Sequence, residues 1–545
     1  MHPLRIRLGA VTAGLLLVAG ISPAAGAQAF DPATINWEAL SKIPMKDFFI
    51  RRFNKDCAVC HGEDLRGAPL GTPLVGTELR HGDTVTEIAD SIAQGFPERG
   101  MPAWGETLEA DQIWNLALYV AEQRQGTTIL DKRDDIPLAI PADIVASEHH
   151  AFRVEVIAEG LDPMPFSIAP LPDGRILLSE RMRGLSIISV DGEQSGPVPG
   201  TPPVYDDAGS FMGQVQGLGW MLDVAIHPEY EDNGWIYIHH TDRCSDCNDL
   251  SRRGEQPVSM NRLIRGRIRD GAWVDEEVLW TADLETYTNT SDLAAGGRIA
   301  FDAYNRVYIS VGMKAPLDYM GCQELDLPYG KIHRLHDDGS IPPDNPFVND
   351  PGALGSIWTY GHRSVQGLEY NAKTGDLWST EMGPRGGDEL NRLVRGGNYG
   401  WPVFTTGVNY DGRPVDGAAK LGIELSPAEV EFPVVDRTPA IAISSFVFYT
   451  GEEFPKWRDS IIVGTLRATD LLRMEVVDNQ VVHTETLLED LARFRDIEIG
   501  PQGQLYVLLE HKSGGQIVRL RPATDKQGDA APVRPERSLA RSATW

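Results

Sequence analysis

The chain has 545 residues, and 50 Lys plus Arg against 78 Asp plus Glu give a formal net charge of −28 at pH 7. An acidic balance of this size argues against nucleic acid as a partner, because phosphate backbones bind basic surfaces. The length exceeds one ordinary core of roughly 100 to 200 residues, so two domains, or one large all-β domain with an appendage, are expected. With 55 Gly and 37 Pro, the composition favours a turn-rich β architecture over a helical bundle.

Residues 1–29 have the pattern of a secretory signal peptide. Two arginines precede an apolar run over residues 8–21, and small residues follow up to Ala29. The run is shorter than the ~20 residues that span a bilayer, although an uncleaved anchor is the alternative. The arginines are not a twin pair, which favours Sec over Tat export. We therefore expect a periplasmic protein with no membrane span in its mature form.

A covalent haem site is predicted from residues 57–61, CAVCH. The C-x-x-C-H spacing lets two thiols bind the haem vinyl groups while the next residue offers an imidazole to the iron. A disulfide CxxC followed by a chance His is the alternative. The region 30–126 resembles a small all-α class I c-type cytochrome, with a helix predicted over residues 110–123. The predicted haem-binding residues are Cys57 and Cys60 as thioether sites, His61 as proximal ligand and Met101 as distal ligand.

The other three cysteines do not repeat this pattern. Cys244 and Cys247 form a CxxC without a following His, so a local disulfide is expected in an oxidising compartment, with a zinc half-site as the weaker alternative. Cys322 is either a buried thiol or pairs with one of these two. His239 and His240 lie near this loop, and the sequence does not decide whether they face a pocket.

Beyond a linker at residues 127–150, one pattern recurs six times: a turn followed by a short alternating or apolar strand. The predicted strands are 175–178, 235–238, 306–310, 376–379, 460–463 and 504–508. Their mean spacing of about 66 residues fits a six-bladed β-propeller with long loops over residues 151–522, followed by a flexible tail at 523–545. A pair of β-sandwiches explains the strands but not their even recurrence.

Five longer segments carry a family signature. They are LDVAIHPEY (222–230), YGHRSVQGL (360–368), EMGPRGGDELN (381–391), GNYGWP (397–402) and RFRD (493–496). Together they resemble the soluble quinoprotein glucose dehydrogenase and aldose sugar dehydrogenase family, six-bladed propellers that use pyrroloquinoline quinone (PQQ) and calcium. The resemblance implies an all-β six-bladed propeller preceded by a small all-α cytochrome c domain.

The resemblance also implies a PQQ site. PQQ carries three carboxylates, which planar, permanently charged guanidinium groups bind well. The matching positions are Arg363, Ser364, Arg467, Arg493 and Arg495; Ser364 stands where the family usually has Asn, and Arg467 where it often has Lys. Arg493 and Arg495 alternate along one strand and so share a face. Solvated ion pairs at blade edges are the alternative for these arginines.

Calcium is implied at two positions. In the family one ion contacts the quinone and backbone carbonyls at a Gly-Pro step, here Gly383 and Pro384, and carbonyl oxygens suit this hard cation. A second, structural ion would use Asp388, Glu389 and Tyr399 or their backbone oxygens. The alternative is a glycine-rich turn held by Asp388 alone.

The catalytic base of the family is missing. Its His falls at Ala294, and the Asp that orients that His falls at Met313. The loss of both members indicates a coupled change. Asp292 is close enough in sequence to be the candidate replacement base.

These features predict a quinohaemoprotein dehydrogenase that oxidises a small-molecule substrate (a sugar, alcohol or aldehyde) with PQQ. Electrons would pass to the fused haem c and then to a downstream periplasmic acceptor. Two alternatives remain. The propeller could be a ligand-binding module beside a separately acting cytochrome, or a calcium-dependent hydrolase or lactonase without quinone chemistry.

Overall fold

The structure, a computed structural model, describes residues 46–126, 136–211, 214–254, 256–314, 321–410 and 412–523. All of these belong to one contact unit, Pro44–Trp545. The predicted signal peptide, the first part of the predicted linker and the predicted tail after residue 523 lie outside the described residues.

The N-terminal described residues are helical. The helices are α1 Lys46–Asp56, α2 Ala58–His61, α3 Val85–Gln94 and α4 Ala110–Gln125. A capping box at Thr84 begins α3, and Gly126, in the left-handed region at φ 63°, ends α4. The i, i+3, i+4, i+7 pattern predicted over 110–123 is the face of α4 that is buried against α1 and α3.

The remaining described residues are mostly strands. In chain order these are β1 Val145–Ala146, β2 Ala151–Leu161, β3 Pro165–Pro170, β4 Ile176–Glu180, β5 Gly184–Ile188, β6 Gly209–Phe211, β7 Gln214–Gln216, β8 Met221–Ile226, β9 Ile236–Cys244, β10 Val258–Arg269, β11 Ala272–Thr281, β12 Gly296–Phe301, β13 Val307–Val311, β14 Lys331–Leu335, β15 Ile357–Tyr360, β16 Val365–Asn371, β17 Asp376–Glu381, β18 Asp388–Leu393, β19 Val435–Arg437, β20 Ile443–Phe448, β21 Ile461–Thr465, β22 Leu471–Val477, β23 Gln480–Leu488, β24 Arg493–Ile499, β25 Leu505–Glu510 and β26 Gly515–Pro522. Short helices in the loops are α5 Tyr230–Asn233, α6 Asp249–Gly254 and α7 Gly417–Leu421, with 3-10 turns at Pro97–Arg99, Leu284–Thr286, Asp292–Ala294, Pro427–Glu429 and Pro455–Trp457.

The strands form six antiparallel blades. The blades are β3–β5, β8–β11, β12–β15, β16–β19, β20–β23, and β24–β26 extended by β2 and β1. The first strands of the blades contact each other in the order β3, β8, β12, β16, β20, β24 and back to β3, so they line a central channel. The predicted six-bladed β-propeller with a small helical region before it is confirmed.

The repeated sequence pattern has a structural meaning. Each of the six predicted strands overlaps the second strand of a blade, namely β4, β9, β13, β17, β21 and β25. These strands read as apolar runs because neighbouring blades cover both of their faces; all five residues of β13 are buried, for example.

The last blade closes the ring with strands from both ends of the propeller. β2 pairs with β26, with Phe152 opposite Pro522. Phe152 then packs edge to face against Phe454 and Trp457, which are stacked on each other, in the core between the fifth and sixth blades. Closure of this kind leaves no free edge between the first and last blades.

Candidate functional site

One end of the propeller gathers the predicted pocket residues. The start of each first strand is opposite the end of each second strand, so these positions in all six blades meet at the same end, called the pocket end here. The six pairs are Pro165 with Glu180, Met221 with His240, Gly296 with Val311, Val365 with Glu381, Ile443 with Thr465, and Arg493 with Glu510.

Two of the predicted PQQ-binding arginines share one carboxylate. Arg493 Nε donates to Glu510 Oε1 at 2.6 Å, and Arg495 Nε and Nη2 donate to Glu510 Oε2 at 2.8 and 2.5 Å. The neighbouring arginines hold the pKa of Glu510 well below its usual range, although burial acts in the opposite direction. Arg467, half-buried, follows β21 beside Leu466, whose carbonyl accepts from Arg493 Nη1 at 3.1 Å.

Arg363 and Ser364 lie immediately before β16 in the fourth blade. Arg363 Nη1 donates to the carbonyls of Met382 and Gly383 at 2.8 and 3.0 Å, while its Nε is buried without a hydrogen-bond partner among the described residues. Ser364 is also buried, and its Oγ accepts from Gln366 at 3.0 Å. Arg363 therefore contacts the predicted calcium loop and keeps one unsatisfied donor.

The predicted calcium ligands are only partly brought together. Asp388 accepts from the backbone amides of Gly383 and Ile443, both at 3.0 Å, and burial raises its pKa to about 6. Tyr399 donates to the carbonyl of Arg392 at 2.6 Å. Asp388 thus stabilises the loop, which is the arrangement of the alternative prediction, a glycine-rich turn held by Asp388. The carbonyl of Gly383 accepts from the guanidinium of Arg363 and is not left free for an ion.

A small buried cavity lies beside this loop. Its lining includes Arg363, Glu381, Gly383, Glu389 and Tyr399. Glu381 and Glu389 are opposite each other on β17 and β18, and burial together with the charge of Glu381 raises the pKa of Glu389 well above its usual value. Two facing carboxylates beside backbone carbonyls suit a hard cation. Among the described residues, however, no group of three or more His, Cys, Asp or Glu side chains is arranged to hold a metal ion.

The two positions where the family has its catalytic His and the Asp that orients it, Ala294 and Met313, are apolar. Met313 packs with Cys322 and Trp401, and Ala294 contacts the same cluster. The amide of Met313 donates to the carbonyl of Arg363 at 2.8 Å, so the cluster lies directly beside the arginines of the pocket end. None of these four side chains can accept a proton from a substrate hydroxyl at neutral pH.

Asp292 is fully engaged elsewhere. Its Oδ1 accepts from Ser259 Oγ at 2.7 Å and from Lys314 Nζ, and its Oδ2 accepts from Gly219 N at 2.7 Å and Thr241 Oγ1 at 2.5 Å. The side chains of Asp292 and Lys314 are both fully buried. Four donors, one of them an ammonium, leave this carboxylate poorly suited to remove a proton. We therefore do not assign proton abstraction to Asp292.

His239 and His240 are buried in the second blade. His239 Nε2 lies 3.0 Å from Asn261 Nδ2, and that Nδ2 also donates to the carbonyl of Ala295. Burial lowers the pKa of His239 to about 3 and that of His240 to about 4. Both imidazoles are neutral at pH 7, and they pack within the propeller.

The predicted haem residues all belong to the helical region. α2 carries Cys60 and His61, with Cys57 at its N-terminal cap, and burial raises the pKa of Cys57 to about 11. His61 Nδ1 donates to the carbonyl of Thr72 at 2.8 Å, which leaves Nε2 with the free lone pair. Met101 is half-buried at the edge of the helical core. A fixed tautomer of this kind is what iron ligation by a His requires.

The cytochrome-like helices contact the pocket end directly. Arg385 Nε and Nη2 donate to Glu122 Oε1 and Oε2 at 2.8 and 2.7 Å, and both side chains are buried. Asn115, two turns earlier on α4, accepts from Arg385 Nη1 at 3.3 Å and donates to the carbonyl of Gly412. Val408, which pairs with Arg385, is part of the hydrophobic core of the helices. α4 is therefore docked on the loop that follows Gly383.

Sequence analysis missed several residues of this end. The buried Arg181 could have been found from the sequence. It directly follows β4, the second strand of the first blade, and the ends of the second strands lie at the pocket end. Glu381 lies inside the segment EMGPRGGDELN, but no sequence pattern marks it as the facing partner of Glu389. Lys314, Glu122 and Arg385 carry no local signal, because their partners are remote in sequence.

The fold and this site define a class: a six-bladed propeller with a basic pocket at one end, fused to a cytochrome c domain. Residues 162–519 match the Glucose / Sorbosone dehydrogenase family, and residues 51–120 match the family described as Cytochrome C oxidase, cbb3-type, subunit III. The chain belongs to the Glucose / Sorbosone dehydrogenase family and carries a cytochrome c domain.

Relatives support this assignment over most of the propeller. The chain is 31% identical to the aldose sugar dehydrogenase YliI of Escherichia coli over 394 residues, 71% of this chain and 97% of that protein. The crystal structure of the E. coli soluble aldose sugar dehydrogenase in its apo form matches with a TM-score of 0.59 at 31% identity, covering 68% of this chain and all (100%) of the other. The cytochrome region is 35% identical over 66 residues to cytochrome c55X of Paracoccus denitrificans, 12% of this chain and 62% of that protein.

The length and hydropathy of the helices can also be compared with those of membrane spans. Within the described ranges, none of them combines the length and the apolar character that a bilayer crossing needs.

Proposed function

We propose that this protein is a periplasmic quinohaemoprotein dehydrogenase that oxidises a sugar, alcohol or aldehyde with PQQ and passes the electrons to its own haem c. The observation that carries the proposal is the buried ion pair between Glu122 and Arg385, because it joins the cytochrome domain to the loop beside the pocket. A donor and an acceptor held in one chain react at a high effective concentration without a diffusional encounter.

The charge of the pocket end supports PQQ as the cofactor. Arg363, Arg493 and Arg495 offer planar guanidinium donors for its three carboxylates. The unsatisfied Nε of Arg363 is a donor that a bound carboxylate would satisfy, since buried polar groups are rarely left without partners. When bound, PQQ would supply the two-electron acceptor that no side chain here provides. The residues present fit this cofactor.

The cytochrome residues fit haem c in the same way. Cys57 and Cys60 would hold the thioether bonds, and His61 Nε2 is the nitrogen available to the iron because Nδ1 is bonded to Thr72. Met101 would be the second axial ligand. Haem ligated by His and Met has a relatively high reduction potential, which suits an electron acceptor.

Calcium fits one of its two implied positions better than the other. At Gly383 the carbonyl already accepts from the guanidinium of Arg363, a cation that competes with a divalent ion, so the residues as arranged do not fit calcium there. The cavity between Glu381 and Glu389 has two carboxylates and nearby carbonyls. Arg363 also lines this cavity, but the two carboxylates there exceed its single charge. We propose this cavity as the calcium position, with Glu389 from the second implied set and Glu381 in addition to it.

The substrate itself must compensate for the absent base. A positioned base is worth roughly 10²- to 10⁴-fold in rate, and the cluster of Ala294, Met313, Cys322 and Trp401 offers none. A hydrated aldehyde or a hemiacetal has a more acidic hydroxyl than a simple alcohol and loses its proton more readily. We therefore propose a substrate of this activated kind.

The proposed function also includes a location, the periplasm, and a partner, a downstream electron acceptor. Cys244 and Cys247 form a disulfide, as the sequence predicted, and such bonds persist in oxidising compartments such as the periplasm. Sec export would deliver the chain there, and a downstream periplasmic acceptor would reoxidise the haem.

The test is substrate-dependent reduction of the haem in the purified full chain. The protein is loaded with PQQ and calcium, offered aldoses, alcohols and aldehydes, and followed by haem absorbance, with PQQ-free protein as the control. We expect reduction at a rate independent of protein concentration, because the transfer is intramolecular. If the protein neither binds PQQ nor shows substrate-dependent haem reduction, the propeller is instead a ligand-binding module. The apolar side chains at Ala294 and Met313, in place of the catalytic pair, favour this second candidate.

A further inference from the structure

Arg181 is a buried cation of the pocket end that the described residues do not satisfy. It follows Glu180 at the end of β4 and is only 4% exposed. Its guanidinium lies over the rings of Phe166 and Trp220, with centroid distances of 5.2 and 5.6 Å. Its side chain makes no hydrogen bond to any described residue, although a guanidinium has five N–H donors.

The neighbouring arginines differ in this respect. Arg493 and Arg495 use both oxygens of Glu510, and Arg298 Nη1 donates to Asp496 Oδ1 at 2.6 Å. Glu510 is thus already shared by two guanidinium groups before Arg181 is counted. Burial is the main cause, and the charge of Arg495 the second, that lowers the pKa of Arg181 to about 9.

This arrangement leaves an excess of positive charge at the pocket end, where Arg181, Arg493 and Arg495 lie near the single carboxylate of Glu510. A buried charge without a hydrogen-bonded partner costs free energy, and stacking on two aromatic rings supplies only part of the compensation. An anion with planar, paired oxygen acceptors would supply the rest, because it matches the fork of a guanidinium.

We propose that Arg181 binds a carboxylate of the molecule that occupies the pocket, together with Arg493 and Arg495. This inference rests on the proposed function in that it takes the pocket end as the ligand site. The carboxylate has two possible sources, PQQ itself or the acid group of a sugar acid used as substrate. Either source would make Arg181 a ligand-binding residue and not a packing residue.

The main variant is Arg181→Met, which keeps an unbranched apolar stem over Phe166 and Trp220 and removes every donor. Arg181→Lys keeps the charge but not the planar fork, and it serves if the Met variant does not fold. Arg183→Met is the matched control, since Arg183 lies two residues further on, is partly exposed and bonds Gln194. The haem spectrum and the thermal midpoint of each full-length variant establish that it is folded.

Calorimetric titration of the full chain with PQQ tests whether the carboxylate that Arg181 binds belongs to PQQ. We expect Arg181→Met to weaken PQQ binding about tenfold or more, Arg181→Lys to weaken it less, and Arg183→Met to leave it unchanged. If PQQ binding is unchanged but Arg181→Met lowers the activity with glucuronate more than the activity with glucose, and so changes the preference between the two, the carboxylate belongs to the substrate. Unchanged PQQ affinity and unchanged preference would overturn the proposal.

Failure of the proposed function is distinguishable from failure of this inference. If the unmodified protein binds no PQQ, citrate is titrated instead as a tricarboxylate probe. Citrate binding that is weakened by Arg181→Met would support the carboxylate site without PQQ. Equal citrate binding by the Met and control variants would overturn it.

Discussion

Glu122 and Arg385 form a two-point ion pair between α4 and the loop after β17, with both side chains buried. They lie 263 residues apart in the chain. The pair means that the cytochrome domain is attached to the propeller at the loop that also contains Gly383, whose carbonyl accepts from Arg363. The geometry of the pocket and the docking of the cytochrome thus depend on the same short segment.

Glu122→Ala should weaken this docking. It leaves a buried guanidinium without its carboxylate, and breaking a buried pair from one side costs about 3 to 5 kcal/mol. We expect a lower thermal midpoint and slower haem reduction by substrate, measured by calorimetry and stopped-flow absorbance. The double variant Glu122→Ala, Arg385→Ala should recover part of the loss, and the exposed Glu98→Ala serves as control. Additive losses in the double variant would contradict the pairing.

Replacing Met101 tests the distal haem ligand. Met101→Leu keeps the apolar contact with the helical core but removes the thioether sulfur, so the sixth position of the iron opens. We expect the absorption spectrum of the oxidised haem to change and its reduction potential to fall. Met182→Leu, the same change in the propeller, should leave both as they are. A spectrum of Met101→Leu identical to that of the unmodified protein would exclude Met101 as ligand.

The double variant Arg493→Ala, Arg495→Ala should lose PQQ affinity. Both guanidinium groups that meet at Glu510 disappear, and the remaining carboxylate repels an anionic cofactor. We expect calorimetry with calcium present to show binding at least a hundredfold weaker. Arg519→Ala, a partly exposed arginine of the same blade that pairs with Glu453, is the control. Equal affinity in both variants would remove Arg493 and Arg495 from the cofactor site.

Asp292→Asn separates a structural role from a catalytic one. Because Asp292 holds Lys314 and three other donors, the variant should lower the thermal midpoint and affect turnover only as far as it affects folding. Adding Lys314→Met should restore stability, since the unpaired ammonium is then gone. A selective loss of kcat at an unchanged thermal midpoint would instead identify Asp292 as the base.

The buried histidines predict acid sensitivity. The folded-state pKa values of His239 and His240, about 3 and about 4, lie below the ordinary value of 6.5, so the folded protein binds fewer protons than the unfolded chain. Their stabilisation is therefore complete above pH 6.5 and decreases as the pH falls from there towards 4, by up to about 1.4 kcal/mol per unit for each group. Denaturant unfolding between pH 7 and 4.5 should show that the free energy of unfolding falls less steeply with decreasing pH for His239→Asn than for the unmodified protein. An unchanged slope would contradict this.

Sequence was sufficient wherever a local signal carried the chemistry. The C-x-x-C-H segment identifies a haem site because the two thiols and the imidazole must be adjacent in the chain. The six turn-and-strand units identify the propeller because each second strand is buried on both faces and so reads as an apolar run. Arg363, Arg493 and Arg495 could be predicted to lie at one end of the propeller because they belong to contiguous motifs at or just before the start of a strand.

Only the tertiary structure decided what depends on remote partners. Asp292 is a candidate base in the sequence, yet Lys314, Ser259 and Thr241 converge on it from other parts of the propeller and engage both of its oxygens. The protonation and availability of a buried carboxylate depend on its neighbours in space, which neither composition nor spacing reveals. The same reason hid the Glu122–Arg385 pair: both charges are read from the sequence, but their pairing is set by how the helices meet the propeller. The place of Arg181 after a second strand is visible in the sequence, but its lack of a hydrogen-bonded partner among the described residues is decided only by how the blades pack.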